Sequence, residues 1–411
     1  MKVLWVKSGG LVPLDTGGKI RSFHILKELA RRHPTDLFTF YQQHPEDGHP
    51  ELERYVHRVF CMPLAIAPAN SVGDLAHYAR NLFSLQPYSM AKYCRPQVAQ
   101  RLRQVMLSQE YDVVVCDFFL TGAVIPWDMP QPKVLFTHNV EAQIWQRHYQ
   151  VSRNPLWRAV AWREYKTIAR LERRYLQQAD FVLTVSENDR EFFARFIGPA
   201  KLAAISTGVD VEYFRATPGA EQPNTLVFTG SMDWMPNEDG ILHFLDEILP
   251  RVRRDIPEVS LWVVGRSPSP RLQKAAGRLP GVKITGRVDD IRPYLQQGAV
   301  YVVPLRIGGG TRIKIFEAMA AGKAVVSTTL GAEGLPVTDG QNILLADEPE
   351  EFARRVVELL RNEGLRSRMG RAARELVEHN YSWASVTQQF SAVLERVAGA
   401  SSASSHASHH S

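Results

Sequence analysis

The chain is poor in cysteine. Only Cys61, Cys94 and Cys116 carry thiols among 411 residues, and none falls in a CxxC spacing. An odd, scattered set excludes a disulfide framework and a cysteine zinc site, and reads as reduced thiols of a cytosolic protein. Long apolar runs are also missing. No stretch is long enough to span a bilayer, and the apolar run within Met1–Gly10 is too short for a signal peptide. Neither sign of charge dominates: 49 basic against 43 acidic residues give +6, with a pI near 9.2. That excess suits an anionic substrate or an anionic membrane surface. It comes without a base-stacking motif, so nucleic acid is not expected as a partner. Asp289-Asp290 resembles a metal pair but stands just before a helix, where N-capping explains it, so no metal is expected. The segment 399–411 is Ser, Ala and His, too small and polar to bury, and is expected to be a disordered tail or tag remnant.

What is present is the composition of a globular protein, 45% hydrophobic and 22% charged, in a chain too long for one ordinary core. Short apolar runs alternate with amphipathic stretches. Val3–Val6, Asp36–Tyr41, Val113–Cys116, Val134–Thr137 and Phe181–Val185 read as buried strands. After a Pro- and Gly-rich break the rhythm resumes with Leu226–Thr229, Leu261–Val264, Val282–Ile284, Val300–Val303 and Ala324–Ser327. This alternation predicts right-handed βαβ units and two Rossmann-like α/β domains, with parallel sheets facing across a cleft. Residues 1–210 form the first domain and 211–379 the second. A helix at about 380–398, with Val386, Phe390, Val393, Leu394 and Val397 on one face, crosses back onto the first.

Chemistry concentrates at strand ends, where open parallel sheets bind ligands. The densest stretch is Gly308-Gly309-Gly310-Thr311-Arg312, followed by Lys314 and Glu317. Glycines let backbone N–H groups approach phosphate oxygens, and a helix start adds partial positive charge. Arg312 and Lys314 add full charges, and Glu317 can accept hydrogen bonds from sugar hydroxyls. The alternative is an ordinary βα loop with a surface ion pair, which would contribute little. Gly17-Gly18 opens a helix after the first strand, either for close backbone approach to a sugar or phosphate or as a tight turn. His138 ends another strand, where it can bind a sugar hydroxyl or assist proton movement, or be structural. Asn139 reads as the cap of the next helix. Gly230 and Ser231 can offer N–H groups to a phosphate, and Asn237 reads as a helix cap. A basic, aromatic stretch from Trp157 to Arg174 reads either as a membrane-facing helix or as a solvated face with snorkelling arginines.

At these residues the chain resembles the family 4 glycosyltransferases of the GT-B fold, in the branch that carries GGGTR-x-K-x-x-E-A-M-A. The resemblance implies retaining transfer of a sugar from a nucleotide diphosphate sugar, which is a substrate and not a cofactor. The acceptor is a hydroxyl of a glycan, lipid or small molecule, in cytoplasmic envelope or exopolysaccharide synthesis. Glu317 matches the residue that binds ribose, Arg312 and Lys314 cations near the diphosphate, Gly17 and Gly18 glycines near the donor, and His138 a contact to the transferred sugar. The backbone of Arg287 and Val288 matches the site of the base. Two departures stand out. Gly309 replaces the usual first Glu, and the family's Arg and Lys in the first loop of the second domain are absent, leaving Ser231 and Asn237. A nucleotide-sugar epimerase and a non-catalytic nucleotide-sugar-binding protein stay open as alternatives.

Overall fold

The computed structural model describes all residues except 15, 42–48, 65, 67–70, 83, 153, 218, 308–312 and 408–411. It divides into two compact units, Met1–Ser206 with Val386–Ser411, and Thr207–Ser385.

The first unit is built on seven strands: β1 (Val3–Ser8), β2 (Thr35–Tyr41), β3 (Arg58–Pro63), β4 (Val113–Asp117), β5 (Lys133–Phe136), β6 (Phe181–Thr184) and β7 (Leu202–Ala204). Their order is β3-β2-β1-β4-β5-β6-β7, with every pairing parallel. The central strands are buried along their length, as a sheet covered on both faces requires. Leu4, Val6, Phe38, Val114 and Cys116 lie in one core cluster. On the other face Trp5 stacks on Phe390, with ring centroids 5.5 Å apart.

The helices of this unit include α1 (Gly17–Ala30), α2 (Glu141–Val151) and α3 (Pro155–Gln178). The reading of Asn139 as a helix cap is corrected here, because Val140 occupies the N-cap of α2 and has no side-chain acceptor. The acceptor comes from α3 instead: buried Glu172 takes the Glu141 N–H at 2.9 Å. Burial raises the Glu172 pKa to about 8, against the pull of those backbone donors.

The second unit has six strands: β8 (Thr225–Thr229), β9 (Ser260–Val264), β10 (Val282–Ile284), β11 (Val300–Val303), β12 (Ala324–Ser327) and β13 (Leu344–Leu345). Their order is β10-β9-β8-β11-β12-β13. Its helices include α4 (Met235–His243), α5 (Ile313–Ala320) and α6 (Glu363–Asn380). Asn237 is not a cap either. Trp234 holds that position and Asn237 lies inside α4, where its side chain is spent on other partners. The last helix, α7 (Trp383–Ala407), begins in the second unit and joins the first from Val386 onward. Where a disordered tail was expected from Gly399, α7 continues through Ala407. Alanine favours helix, and one Gly without a following Pro is a weak stop.

In both sheets the chain order reverses at one place, between β1 and β4 and between β8 and β11. Such switch points open a crevice at the carboxyl ends of the strands, because the flanking connections leave on opposite faces.

Close backbone contact fixes α6 on the second sheet. A Cβ at Gly370 would fall on the backbone carbonyl oxygen of Gly322, which cannot rotate away. Gly370→Ala is expected to destabilise the protein by about 1–3 kcal/mol through overpacking. Chemical denaturation of the full chain should show a lower midpoint; an unchanged midpoint contradicts this packing.

Candidate active site

In the first unit the switch point is occupied by buried charge. Asp117, the last residue of β4, is fully buried and gathers three donors. Trp5 Nε1 donates to its Oδ2 at 3.0 Å, Lys7 Nζ stands 3.2 Å from the same oxygen, and His138 Nε2 lies 2.8 Å from Oδ1. A carboxylate only accepts, so Nε2 carries the imidazole proton. Nδ1 is then the acceptor and faces Arg21 Nη1 at 3.3 Å. Burial alone would raise the Asp117 pKa, but Lys7 and His138 hold it far below the ordinary carboxylate range. Burial pulls His138 down to about 4, against Asp117 and with help from Arg21 and Lys7. His138 is therefore a neutral ring of fixed tautomer at pH 7.

The backbone here is specialised as well. Phe118, directly after Asp117, adopts φ +79°, a left-handed conformation that costs a bulky residue energy and clusters at functional sites. Gly17 and Gly18 are the first residues of α1, capped by Thr16 Oγ1. They are not the positive-φ turn that the sequence allowed. Gly18 is small because His138 lies over it: a Cβ there would come within 3.3 Å of Nδ1.

In the second unit β8 delivers its chain to Gly230 and Ser231. Asn237 Nδ2 donates to the Ser231 carbonyl at 2.8 Å, and its Oδ1 accepts from Lys314 Nζ at 2.5 Å. The ammonium also lies 4.3 Å from the centroid of the Phe228 ring. A Cβ at Gly230 would stand 2.8 Å from Lys314 Nζ, so only glycine leaves that place open. Lys314 thus points from the start of α5 at the end of β8, beside Gly230, whose N–H does not serve a phosphate as the sequence reading had it, because it is donated to the Val264 carbonyl at 2.9 Å. Glu317 is one turn further along α5. Burial raises its carboxyl pKa to about 7, with Lys314 opposing.

The neighbouring strand ends close on the same loop. Gly265 follows β9 and packs on the Gly230 carbonyl, and a bridge pairs Gly265 with Gly286 after β10. Arg287 and Val288 come next, Arg287 exposed and Val288 packed against the core. The structure therefore brings together Gly18 with His138, and Gly230, Ser231 and Lys314. Gly308, Gly309, Gly310, Thr311 and Arg312 lie outside the described residues.

Sequence reasoning missed Asp117, Lys7 and Arg21, and gave Asn237 the wrong task. The available signal was a charge within a buried pattern: Lys7 and Asp117 lie in apolar strands, and Arg21 lies beside the apolar face of α1. Such charges need partners.

Two family models match the chain. Residues 16–213 match the model described as Glycosyltransferase Family 4, and residues 223–362 the model described as Glycosyl transferases group 1. The chain belongs to the family 4 glycosyltransferases. It has their GT-B fold, two parallel-sheet α/β domains. The phosphatidyl-myo-inositol mannosyltransferase of Mycobacterium tuberculosis is 31% identical over 53% of this chain and 60% of its own length. The chain thus matches about three fifths of that relative. Among solved structures, a sucrose-phosphate synthase from Thermosynechococcus elongatus superposes with TM-score 0.69 at 17% identity, over 97% of this chain and 99% of that one. Anabaena Alr3699/HepE, solved in complex with UDP and glucose, gives 0.66 at 17% identity, over 96% of this chain and all of that one.

Two titrations in this glycosyltransferase-family chain oppose each other. His138 has a folded pKa of about 4, below its ordinary 6.5, so its contribution to stability is present above pH 6.5 and lost as pH falls toward 4. Glu317 has a folded pKa of about 7, above its ordinary 4.5, so its contribution is present below pH 4.5 and lost as pH rises through 7. Thermal melts against pH are expected to show, relative to the wild type, a smaller loss of stability from pH 4.5 up to 7 in Glu317→Gln and a smaller loss from pH 6.5 down to 4 in His138→Gln. Identical slopes in all three proteins contradict these environments.

Proposed function

We propose that the protein is a retaining glycosyltransferase. It moves a sugar from a nucleotide diphosphate sugar to a hydroxyl of a glycan, lipid-linked or small-molecule acceptor, in envelope or exopolysaccharide synthesis. The observation that carries this is the seat of Lys314, with its ammonium on Asn237 at the end of β8 and the Gly230–Ser231 backbone beside it. A diphosphate at that strand end meets the cation beside the Ser231 backbone.

The charge at this place also bears on the chain's departure from its family. Asn237 stands where the family has a Lys. Lys314, three residues before Glu317, brings an ammonium to that same side chain from a different helix. The cation is relocated, not lost.

Negative charge grows on the leaving diphosphate as the glycosidic bond breaks, and fixed cations and N–H groups lower the barrier by stabilising it. Arg312, two residues before Lys314, adds a second cation. The acceptor oxygen bonds to the anomeric carbon on the face that the phosphate leaves, and a phosphate oxygen takes the hydroxyl proton. Configuration is thereby retained, with no protein nucleophile. Glu317 holds the ribose hydroxyls, and the backbone of Arg287 and Val288 meets the base. His138 is a positioning residue in this reading: its proton is held by Asp117, so it presents a fixed neutral ring instead of shuttling a proton.

Removing one charge-stabilising donor costs on the order of 10²-fold in turnover. Lys314→Gln and Arg312→Ala are each expected to lose that much nucleoside diphosphate release in a screen of nucleotide sugars. Asn237→Lys added to Lys314→Gln should recover part of the loss. Unchanged release in Lys314→Gln, or no recovery in the double variant, contradicts the relocated cation.

A further inference from the structure

Helix α3 carries a feature that sugar transfer does not use. It is 24 residues long, and its only two carboxylates, Glu164 and Glu172, are both buried. Each is occupied internally, Glu172 by the start of α2 and Glu164 by Arg163 and the Tyr88 N–H. The exposed charged positions of α3 are Arg158, Lys166, Arg170, Arg173 and Arg174. That face is cationic without compensation from its own helix.

The N-terminal part of the same helix exposes large apolar groups. Leu156 is 79% exposed, Trp157 48% and Trp162 50%. Arg158, Trp162, Lys166, Arg170 and Arg174 are spaced four apart, so they follow one slowly turning ridge. Arg163 points the other way and donates to the carbonyls of Asn81, Ser84 and Gln86. It pins that loop to α3, and the loop holds Leu85 outward at 67% exposure. A groove of about 840 Å³ opens between them, lined by Leu85, Trp127, Leu171 and Tyr175, with Arg170 and Arg174 among its walls.

A soluble face does not gain by exposing Leu and Trp beside a run of cations. A lipid–water interface accepts both: indole rings lie at headgroup depth and cations at the phosphates. The geometry points to this face of the first unit, the α3 ridge with Leu85 and the adjoining groove, as a docking surface for an anionic phospholipid bilayer. The occupant follows from charge complementarity along the ridge and from an apolar groove beside it that suits an acyl chain. The inference is independent of the proposed transfer reaction, since it concerns where the protein sits and not what it catalyses.

The test is co-sedimentation of the full chain with two kinds of vesicle, pure phosphatidylcholine and an equimolar phosphatidylcholine–phosphatidylglycerol mixture. Binding to the anionic vesicles only is expected. It should be released by salt, as the screening length falls from about 10 Å at 0.1 M to about 3 Å at 1 M. Each cation near such a surface is worth about five-fold in partition, so K166E/R170E/R174E should bind at least on the order of 100-fold less. W157S/W162S should weaken binding on its own account. K274E/R278E/R371E changes net charge equally on the second unit and should bind as the wild type does, and thermal melts check that every variant is folded. Equal partition into both vesicles, no partition into either, or undiminished binding by the ridge reversal overturns the proposal. So does retention on polyuridylic acid without vesicle binding, which would assign the ridge to a soluble polyanion.

Discussion

The seating of a lysine ammonium at the end of a buried parallel strand organises the second unit. Lys314 is held by Asn237 and lies over the face of Phe228, and the missing side chain at Gly230 leaves its place open. Each neighbour is constrained in turn. Asn237 is locked by the Ser231 carbonyl, Gly230 by the backbone of Gly265, and Gly265 by its bridge to Gly286. The strand-end loops are thus fixed before any ligand arrives. Preorganisation of this kind makes a cation effective, because no reorganisation is needed when charge develops.

The first unit solves a related problem differently. Its switch point holds a buried carboxylate surrounded by Lys7, Trp5 and His138, with Arg21 on the far side of the imidazole. One buried charge without partners would be costly, and the cluster persists because every member has one. The result is a histidine with one tautomer and no charge at neutral pH, lying over a helix start where a Cβ would press on its ring.

Much of this was legible in the sequence, and the failures are specific. Strands such as Val300–Val303 and Ala324–Ser327 are continuous apolar runs, because covered parallel strands are buried on both faces. β3 is a half-exposed edge strand, while β7 and β13 have three and two residues, so none carries a readable period. Gly18, His138, Gly230 and Lys314 could be singled out as candidates because each stands at a strand end or helix start. Asp117 and Arg21 were not, because Trp5 lies 112 residues from Asp117 and His138 lies 117 from Arg21, and buried pairing over such separations leaves no local spacing. The two misread caps share a cause. Asn139 and Asn237 satisfy the local rule for capping, but Glu172 supplies the cap of α2 from another helix and Lys314 claims the side chain of Asn237.

Recognition of a diphosphate by Lys314 is the step on which the proposed function rests. Calorimetric titration of the full chain with matched pairs of nucleoside and nucleoside diphosphate tests it most directly, because the base and ribose cancel within each pair. The expected result is that the best diphosphate binds well above its parent nucleoside, and that Lys314→Gln narrows that gap while leaving nucleoside affinity in place. An equal gap in wild type and variant, or diphosphates that bind no better than nucleosides, would contradict it.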